Sequence, residues 1–277
     1  MNDGPDFICI GQPKAATGWL YDQLFHHPGF WMPPAKELSY LNQDAPNMGF
    51  IFPERREKYP DRWNRDQRDV QFLEYARGHR RTPRNLDIYA GLFAFKGGKL
   101  SGDISPMYCL LEGGTIEVVA ARFPRTRILF IVRDPVERAW SRMVMAQRDG
   151  LLDRAVLEDK RLLRRHIRDE PKVGGIMATQ IVARWRRHAP HLPFRTILFD
   201  DIVGNAQESR RGILEFLGAD PEGGGLPPEH NRKADDERIA MNDAARALLV
   251  KRYAGELRAG ADLFGGAARD WPARYGL

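Results

Sequence analysis

The sequence predicts an α/β fold: a central parallel sheet flanked by helices. Short apolar runs near residues 7–10, 100–104, 127–132 and 195–199 alternate with stretches of helical periodicity, the pattern of strands joined through helical crossovers. Two of these runs stop in a loop that leads directly into a helix. The 277 residues contain no internal repeat and no low-complexity linker, so a single domain over residues 1–277 is expected. Strand order is left open.

The first junction is FICIGQPKAATGW, Phe7 to Trp19. Phe7, Ile8, Cys9 and Ile10 make a compact apolar strand. Gly11 breaks it and Pro13 shapes the turn. Lys14 follows where loop meets helix, and Leu20 and Leu24 stand one helical turn apart. Such a junction aims backbone N–H groups, a positive helix end and a full positive charge at one spot, which suits a phosphate. It is not the Walker loop, because lysine comes three residues after the glycine and the glycine-rich span is missing. The plain alternative is an ordinary strand–turn–helix corner.

The second junction is TRILFIVRDPVERAWSRMVM, Thr126 to Met145. Ile128 to Val132 form an apolar strand, and Arg133 ends it. Asp134 suits a helix cap and Pro135 the first helical position. Val136, Trp140, Met143 and Val144 form an apolar stripe. Arginine presents a planar fork to phosphate oxygens, and a hydroxyl such as Ser141 adds a short hydrogen bond. The plain alternative pairs Arg133 with a nearby carboxylate and leaves Ser141 as a surface residue.

With Trp19-Leu20 and His27-Pro28 after it, the first loop resembles the 5′-phosphosulfate loop of the sulfotransferases, which use 3′-phosphoadenosine 5′-phosphosulfate (PAPS) as donor. The family loop runs close to K-[AG]-G-T-[ST]-[WS]-L. The resemblance implies donor contacts from Lys14, Ala15, Ala16, Thr17, Gly18 and Trp19. Ala16 replaces the second glycine, a mild change if the backbone there keeps φ negative. Gly18 replaces a hydroxyl residue and keeps only its N–H. The second junction is similar to the family's 3′-phosphate motif, with Arg133 and Ser141 at the gripping positions. Residues 35–41, AKELSYL, and 101–110, SGDISPMYCL, resemble segments of heparan-type sulfotransferases. They place Glu37 at the proposed catalytic base and Ser105 near the acceptor. Ser39 and Ile104 stand where those relatives often carry histidine and lysine, so those two roles do not transfer. LFDDIVGN and ILEFLG within 198–218 resemble the family's late strand and helix. A basic loop often closes over the 3′-phosphate at about the place of Arg232 and Lys233. The resemblance implies the three-layer P-loop-like sulfotransferase fold, with the donor along the C-terminal ends of the strands.

Sulfuryl transfer then needs Lys14 and the N–H groups of Ala16 to Trp19 at the developing charge. It also needs a carboxylate, Glu37, as base for a hydroxyl or amine acceptor. The plain reading of Glu37 is a solvated carboxylate paired with Lys36. The transferred group carries less charge than a γ-phosphoryl group, so no metal is required. No metal-ligand spacing appears, and His26-His27 reads as a helix-end feature.

Residues 43–95, with Trp63, Phe72, Tyr75, Tyr89, Phe93 and Phe95, look like one insertion bordering an acceptor cleft. The basic stretch 149–190, with Arg161, Arg164, Arg165, Arg184, Arg186 and Arg187, looks like another. Solvated helix faces account for most of these arginines. An acidic or polyhydroxylated acceptor, such as a saccharide, is the functional alternative. The net charge of +6, from 43 basic and 37 acidic residues, suits an anionic co-substrate and does not point to nucleic acid. Cys9 and Cys109 are expected as reduced thiols. No signal peptide precedes the first strand and no apolar run approaches membrane-spanning length. The expectation is therefore a cytoplasmic enzyme of bacterial type, without a membrane span. Two other classes stay open: a kinase or other nucleotide enzyme on a related fold, and a PAPS-binding protein without catalysis. Oligomeric state and acceptor identity are not legible.

Overall fold

Period-two alternation along the strands decides the layering. In the computed structural model, Ile8, Ile10, Ile128, Phe130 and Val132 point into one hydrophobic core. Their neighbours Phe7, Cys9, Leu129 and Ile131 point into a second core on the opposite face. A sheet buried on both faces needs near-continuous apolar strands and a helical layer on each side. The structure describes residues 4–42, 65–79, 82–169, 177–230 and 239–277.

The strands are β1 (Phe7–Cys9), β2 (Gly102–Ile104), β3 (Arg127–Val132) and β4 (Phe194–Leu198), at the places the apolar runs indicate. They form a four-stranded sheet of order β2-β1-β3-β4, with every pairing parallel. The first helices are α1 (Thr17–Phe25), α2 (Gln67–Gly78), α3 (Leu86–Gly91), α4 (Gly113–Arg122), α5 (Pro135–Arg148) and α6 (Arg154–Glu158). They are followed by α7 (Lys160–Asp169), α8 (Ala178–His188), α9 (Phe199–Gly204), α10 (Ala206–Leu217) and α11 (Asp243–Phe264). Leu20 and Leu24 of α1, Ile202 of α9 and Leu214 of α10 fill the second core. Ile116 of α4, Val136 of α5, Trp185 of α8 and Leu257 of α11 fill the first.

The chain leaves β1 for β2 on one side, then returns past β1 to β3 and continues outward to β4. The order therefore reverses between β1 and β3. Crossovers lead away to either side there, leaving a crevice outside the C-terminal ends of those two strands.

Phe72, Tyr89 and Phe93, from the first suspected insertion, are buried in the first core and serve packing. Trp63 lies outside the described residues. Arg161, Arg164, Arg165, Arg186 and Arg187 are exposed, as the solvated-face reading expects. Arg184 differs: its Nη1 donates to the Leu111 carbonyl at 3.1 Å. Cys9 and Cys109 are free and buried, and burial pushes their thiols up to about 12 and about 11. Among the described residues no helix is long and apolar enough to cross a membrane.

Candidate donor site

The loop after β1 is held by continuation of the β1–β3 pairing beyond the strand proper. Gln12 N donates to Ile131 O at 2.8 Å, and Ile131 N donates to Gly11 O at 2.8 Å. Gly11 has φ +134°, and a Cβ there would stand 2.7 Å from the Pro106 carbonyl oxygen. Only glycine lets the loop backbone pass this close to the segment after β2.

Lys14 and Ala16 both adopt positive φ, 67° and 59°, on either side of Ala15. The condition under which Ala16 would be a mild replacement, a negative φ, is not met: the position is left-handed, and alanine carries a backbone cost there that glycine would not. Alternation of this kind turns successive N–H groups toward one concavity. Ala16 caps α1 without a side-chain hydrogen bond, and the first turn of α1 holds no acidic residue. The N–H groups of Thr17, Gly18 and Trp19 therefore have neither an intrahelical acceptor nor a side-chain cap, and the helix dipole adds positive potential beside Lys14.

Arg133 enters from the end of β3. Its Nη1 donates to the Lys14 carbonyl at 3.1 Å, which joins the two junctions across the crevice. Its guanidinium lies 4.3 Å from the centroid of the Phe199 ring. Glu137 Oε2, one turn into α5, is 3.8 Å from Nη2. Burial pulls the Arg133 pKa down, opposed by the carboxylates of Glu137, Asp134 and Asp200. Its Nε is buried and has no hydrogen-bond partner among the described residues. A buried donor left unused is costly, and a phosphate oxygen would satisfy it. Ser141 is half-buried two turns into α5, on the same helix face as Glu137.

Asp134 is the cap that Asp134-Pro135 suggested: its Oδ1 accepts from Val136 N at 2.9 Å and from Glu137 N at 3.3 Å. Its Oδ2 accepts from the Tyr275 hydroxyl at 3.0 Å. Arg274 pairs with Asp200 at 2.5 Å, and Trp271 Nε1 donates to Asp200 Oδ2 at 3.3 Å. The C-terminal segment thus clamps the residues that directly follow Arg133 and Phe199.

A third wall comes from the segment after α1. Asp103, in the middle of β2, is fully enclosed, and desolvation raises its carboxyl to about 6. Its Oδ1 accepts from Ser105 Oγ at 2.6 Å, and its Oδ2 accepts from Tyr108 at 2.6 Å and Tyr89 at 3.1 Å. Ser105 Oγ in turn accepts from Ser39 N at 2.9 Å, and Tyr108 Oη accepts from Leu41 N at 3.3 Å. Ser105 is 0% exposed, so its hydroxyl holds the 38–41 segment in place. Glu37, two residues earlier, has φ 64°. It pairs with Lys36, as its plain reading has it, and remains 39% exposed. The Lys36 ammonium is near enough to oppose, weakly, the burial that raises the Cys9 thiol, which sets the 36–37 segment beside the end of β1.

Arg232 and Lys233 lie outside the described residues. The chain on either side of them is fixed to α1 and α5, the helices that follow the two junctions. Trp19 Nε1 of α1 donates to Pro228 O at 2.7 Å, and Trp140 Nε1 of α5 donates to Ile239 O at 2.8 Å. His27 Nδ1 accepts from Gly29 N at 3.0 Å and its Nε2 lies 2.9 Å from Asp220 O. Both ring nitrogens are engaged, which agrees with a helix-end role. Sequence reasoning did not find Asp103, Asp200, Arg274 or Tyr275. Only for Asp103 was a signal present, as an acid within a short strand with Ser105 and Tyr108 just beyond.

Fold and site define a parallel α/β protein with two strand-to-helix junctions brought together at its topological switch point. Residues 5–222 match the sulfotransferase family, and the chain belongs to that family. A sulfotransferase from Alicyclobacillus acidocaldarius has a similar structure, with 23% identity and a TM-score of 0.66, over 96% of this chain and 98% of that one. Mouse sulfotransferase SULT7A1, solved as a complex with PAP, is similar at 12% identity and a TM-score of 0.54, covering 97% of this chain and 88% of that one. The sulfotransferase domain from the curacin biosynthetic pathway aligns at 14% identity and a TM-score of 0.50, over 91% and 98% of the two chains. No curated protein sequence matches. At these identities the structural neighbours establish the fold, and the family match carries the class: a transferase of sulfotransferase type.

Proposed function

We propose that this protein transfers a sulfuryl group from PAPS to a hydroxyl or amine of an acceptor, with a saccharide hydroxyl as the first acceptor class to test. The observation that carries the reading is the Arg133–Lys14 contact at 3.1 Å. It brings a half-buried guanidinium with an unused Nε to a left-handed loop and an open helix end. Two anionic groups held a nucleoside apart fit such a pair of sites.

When bound, PAPS supplies the sulfuryl group, and 3′-phosphoadenosine 5′-phosphate (PAP) is the leaving product. Lys14 and the N–H groups of Ala16, Thr17, Gly18 and Trp19 hold the 5′ end and neutralise charge there. Arg133 and Ser141 hold the 3′-phosphate, with Arg232 and Lys233 as further cations. Glu37 takes the acceptor proton once Lys36 yields its carboxylate. Ser105 acts on that carboxylate indirectly, by fixing Ser39, and is a positioning residue in this reading. The transfer itself asks for no metal.

Calorimetric titration with PAP tests the donor site, with ATP and Mg²⁺ as control. Micromolar PAP binding, lost in Lys14→Ala and Arg133→Ala and not matched by ATP, is expected. Preference for ATP, or no binding of PAP, overturns the reading. Glu37→Gln should keep PAP binding and lose turnover. If turnover survives that change, Glu37 is not the base.

A further inference from the structure

We propose that the pocket between α5, α7 and α11 is a second binding site, separate from the donor site, for an oxyanion: a carboxylate, a sulfate ester or a phosphate ester. The cavity measures about 40 Å³, against the roughly 10–15 Å³ that one water needs, so a small tetrahedral or planar anionic group fits. Arg138 and Arg142 line it from α5, His166 from α7, and Arg252 with Tyr253 from α11. No carboxylate stands among the described residues that line it.

Arg138 makes this more than a basic surface. It is 3% exposed, and its Nε is buried with no hydrogen-bond partner among the described residues. Glu256 is the carboxylate Arg138 feels across the helix interface, but it is already committed. Its oxygens accept from Thr179 N at 3.0 Å and Thr179 Oγ1 at 2.6 Å. A buried guanidinium with an empty donor is expensive to maintain. An oxyanion entering the pocket would accept from that fork, and Arg142, one turn along α5, and Arg252 across from it would add charge. Met143 lines the same cavity, so the anionic group can be carried on an apolar or neutral body. Arg138 stands one turn into α5, its N–H bonded to the Asp134 carbonyl at 2.9 Å. The pocket therefore opens along α5, the helix that follows Arg133, without including any donor-site residue.

The test is calorimetric titration with inorganic sulfate, and separately with butyl sulfate, at constant ionic strength. It uses protein saturated with PAP and, in parallel, the Lys14→Ala protein, so that the donor site does not contribute. One saturable equivalent is expected in both, weakened at least tenfold by Arg142→Ala and by Arg252→Ala, each shown to be folded by its melting curve. Arg252 is exposed, so Arg252→Ala carries the test if Arg142→Ala does not fold. Tighter binding of butyl sulfate than of sulfate assigns the site to an acid group on a larger molecule, as an acceptor would provide. Equal binding assigns it to a free ion. The proposal is overturned if no saturable binding is seen, if binding disappears when the donor site is blocked, or if the variants bind as well as the wild type. Failure of PAP itself to bind would count against the donor reading alone, because sulfate titration of the Lys14→Ala protein still decides this one.

Discussion

Replacing Asp103 by asparagine should change how stability depends on pH, by an amount the burial of this carboxyl sets. Desolvation lifts its pKa from 3.8 to about 6, only partly offset by the hydroxyls of Ser105, Tyr108 and Tyr89. In the unfolded chain the group ionises near the ordinary carboxylate value. Between about pH 4 and pH 6 the folded state therefore holds a proton that the unfolded state has released, and stability falls as pH rises through that window. A shift of about 2 units at 1.36 kcal/mol per unit amounts to ~3 kcal/mol. Asparagine is uncharged throughout, so the variant lacks this dependence, although it keeps a carbonyl oxygen for Ser105. Urea unfolding of both proteins from about pH 4 to pH 7 isolates the effect, since other titrations cancel in the difference. The wild-type advantage over Asp103→Asn should shrink by ~3 kcal/mol across the range, most of it below about pH 6. A difference that stays flat, or grows with pH, would refute the claim that a desolvated buried carboxyl sits under the Glu37 segment. Because Lys14 and Arg133 do not touch this network, PAP affinity should be unchanged in the same variant.

Gly18 is exposed, and a Cβ there meets nothing within 4 Å. Gly18→Ser should therefore tighten PAP binding about tenfold, the value of a hydroxyl reaching a charged oxygen; calorimetry showing weaker binding would remove the 5′ end from this helix terminus. Ala16→Gly relieves a φ of 59° and should raise stability by about 1 kcal/mol in denaturant unfolding with PAP binding retained; a loss of stability would mean that glycine's extra unfolded-state freedom outweighs the relief. Tyr275→Phe removes the 3.0 Å bond to the buried Asp134 carboxylate. It should cost about 1–3 kcal/mol of stability and weaken PAP binding through the base of Arg133. Unchanged affinity would show that the C-terminal clamp serves stability alone.

The parts of this protein that were legible in the sequence are those specified by near neighbours. Ile128 to Val132 read as a strand because five apolar residues in succession suit a sheet covered on both faces. Asp134-Pro135 read as a helix start because cap and first turn are adjacent. The turns at Lys14 and Arg133 read as strand-to-helix junctions because each follows an apolar strand and leads into a helix. The left-handed backbone of Ala16 was not legible, since alanine carries no sign of a conformation it rarely adopts. It follows from the β1–β3 pairing being carried through to Gln12, which leaves few residues to turn the chain into α1. The wall behind the site was not legible for a different reason. Tyr275 meets Asp134 across 141 positions, and Trp19 meets Pro228 across 209. No periodicity or spacing links such residues, and only the sheet order brings them together. The same distinction separates what the proposed function asks of each group. In that reading Lys14 and Arg133 act through charge, which their type declares. Asp103, Ser105 and Tyr275 act through where they hold other residues, and that is a property of the fold. Substitutions at Lys14 or Arg133 should therefore weaken donor binding without unfolding the protein. Those at Asp103 or Tyr275 should first alter stability, and alter function only as far as Glu37 or Arg133 moves with them.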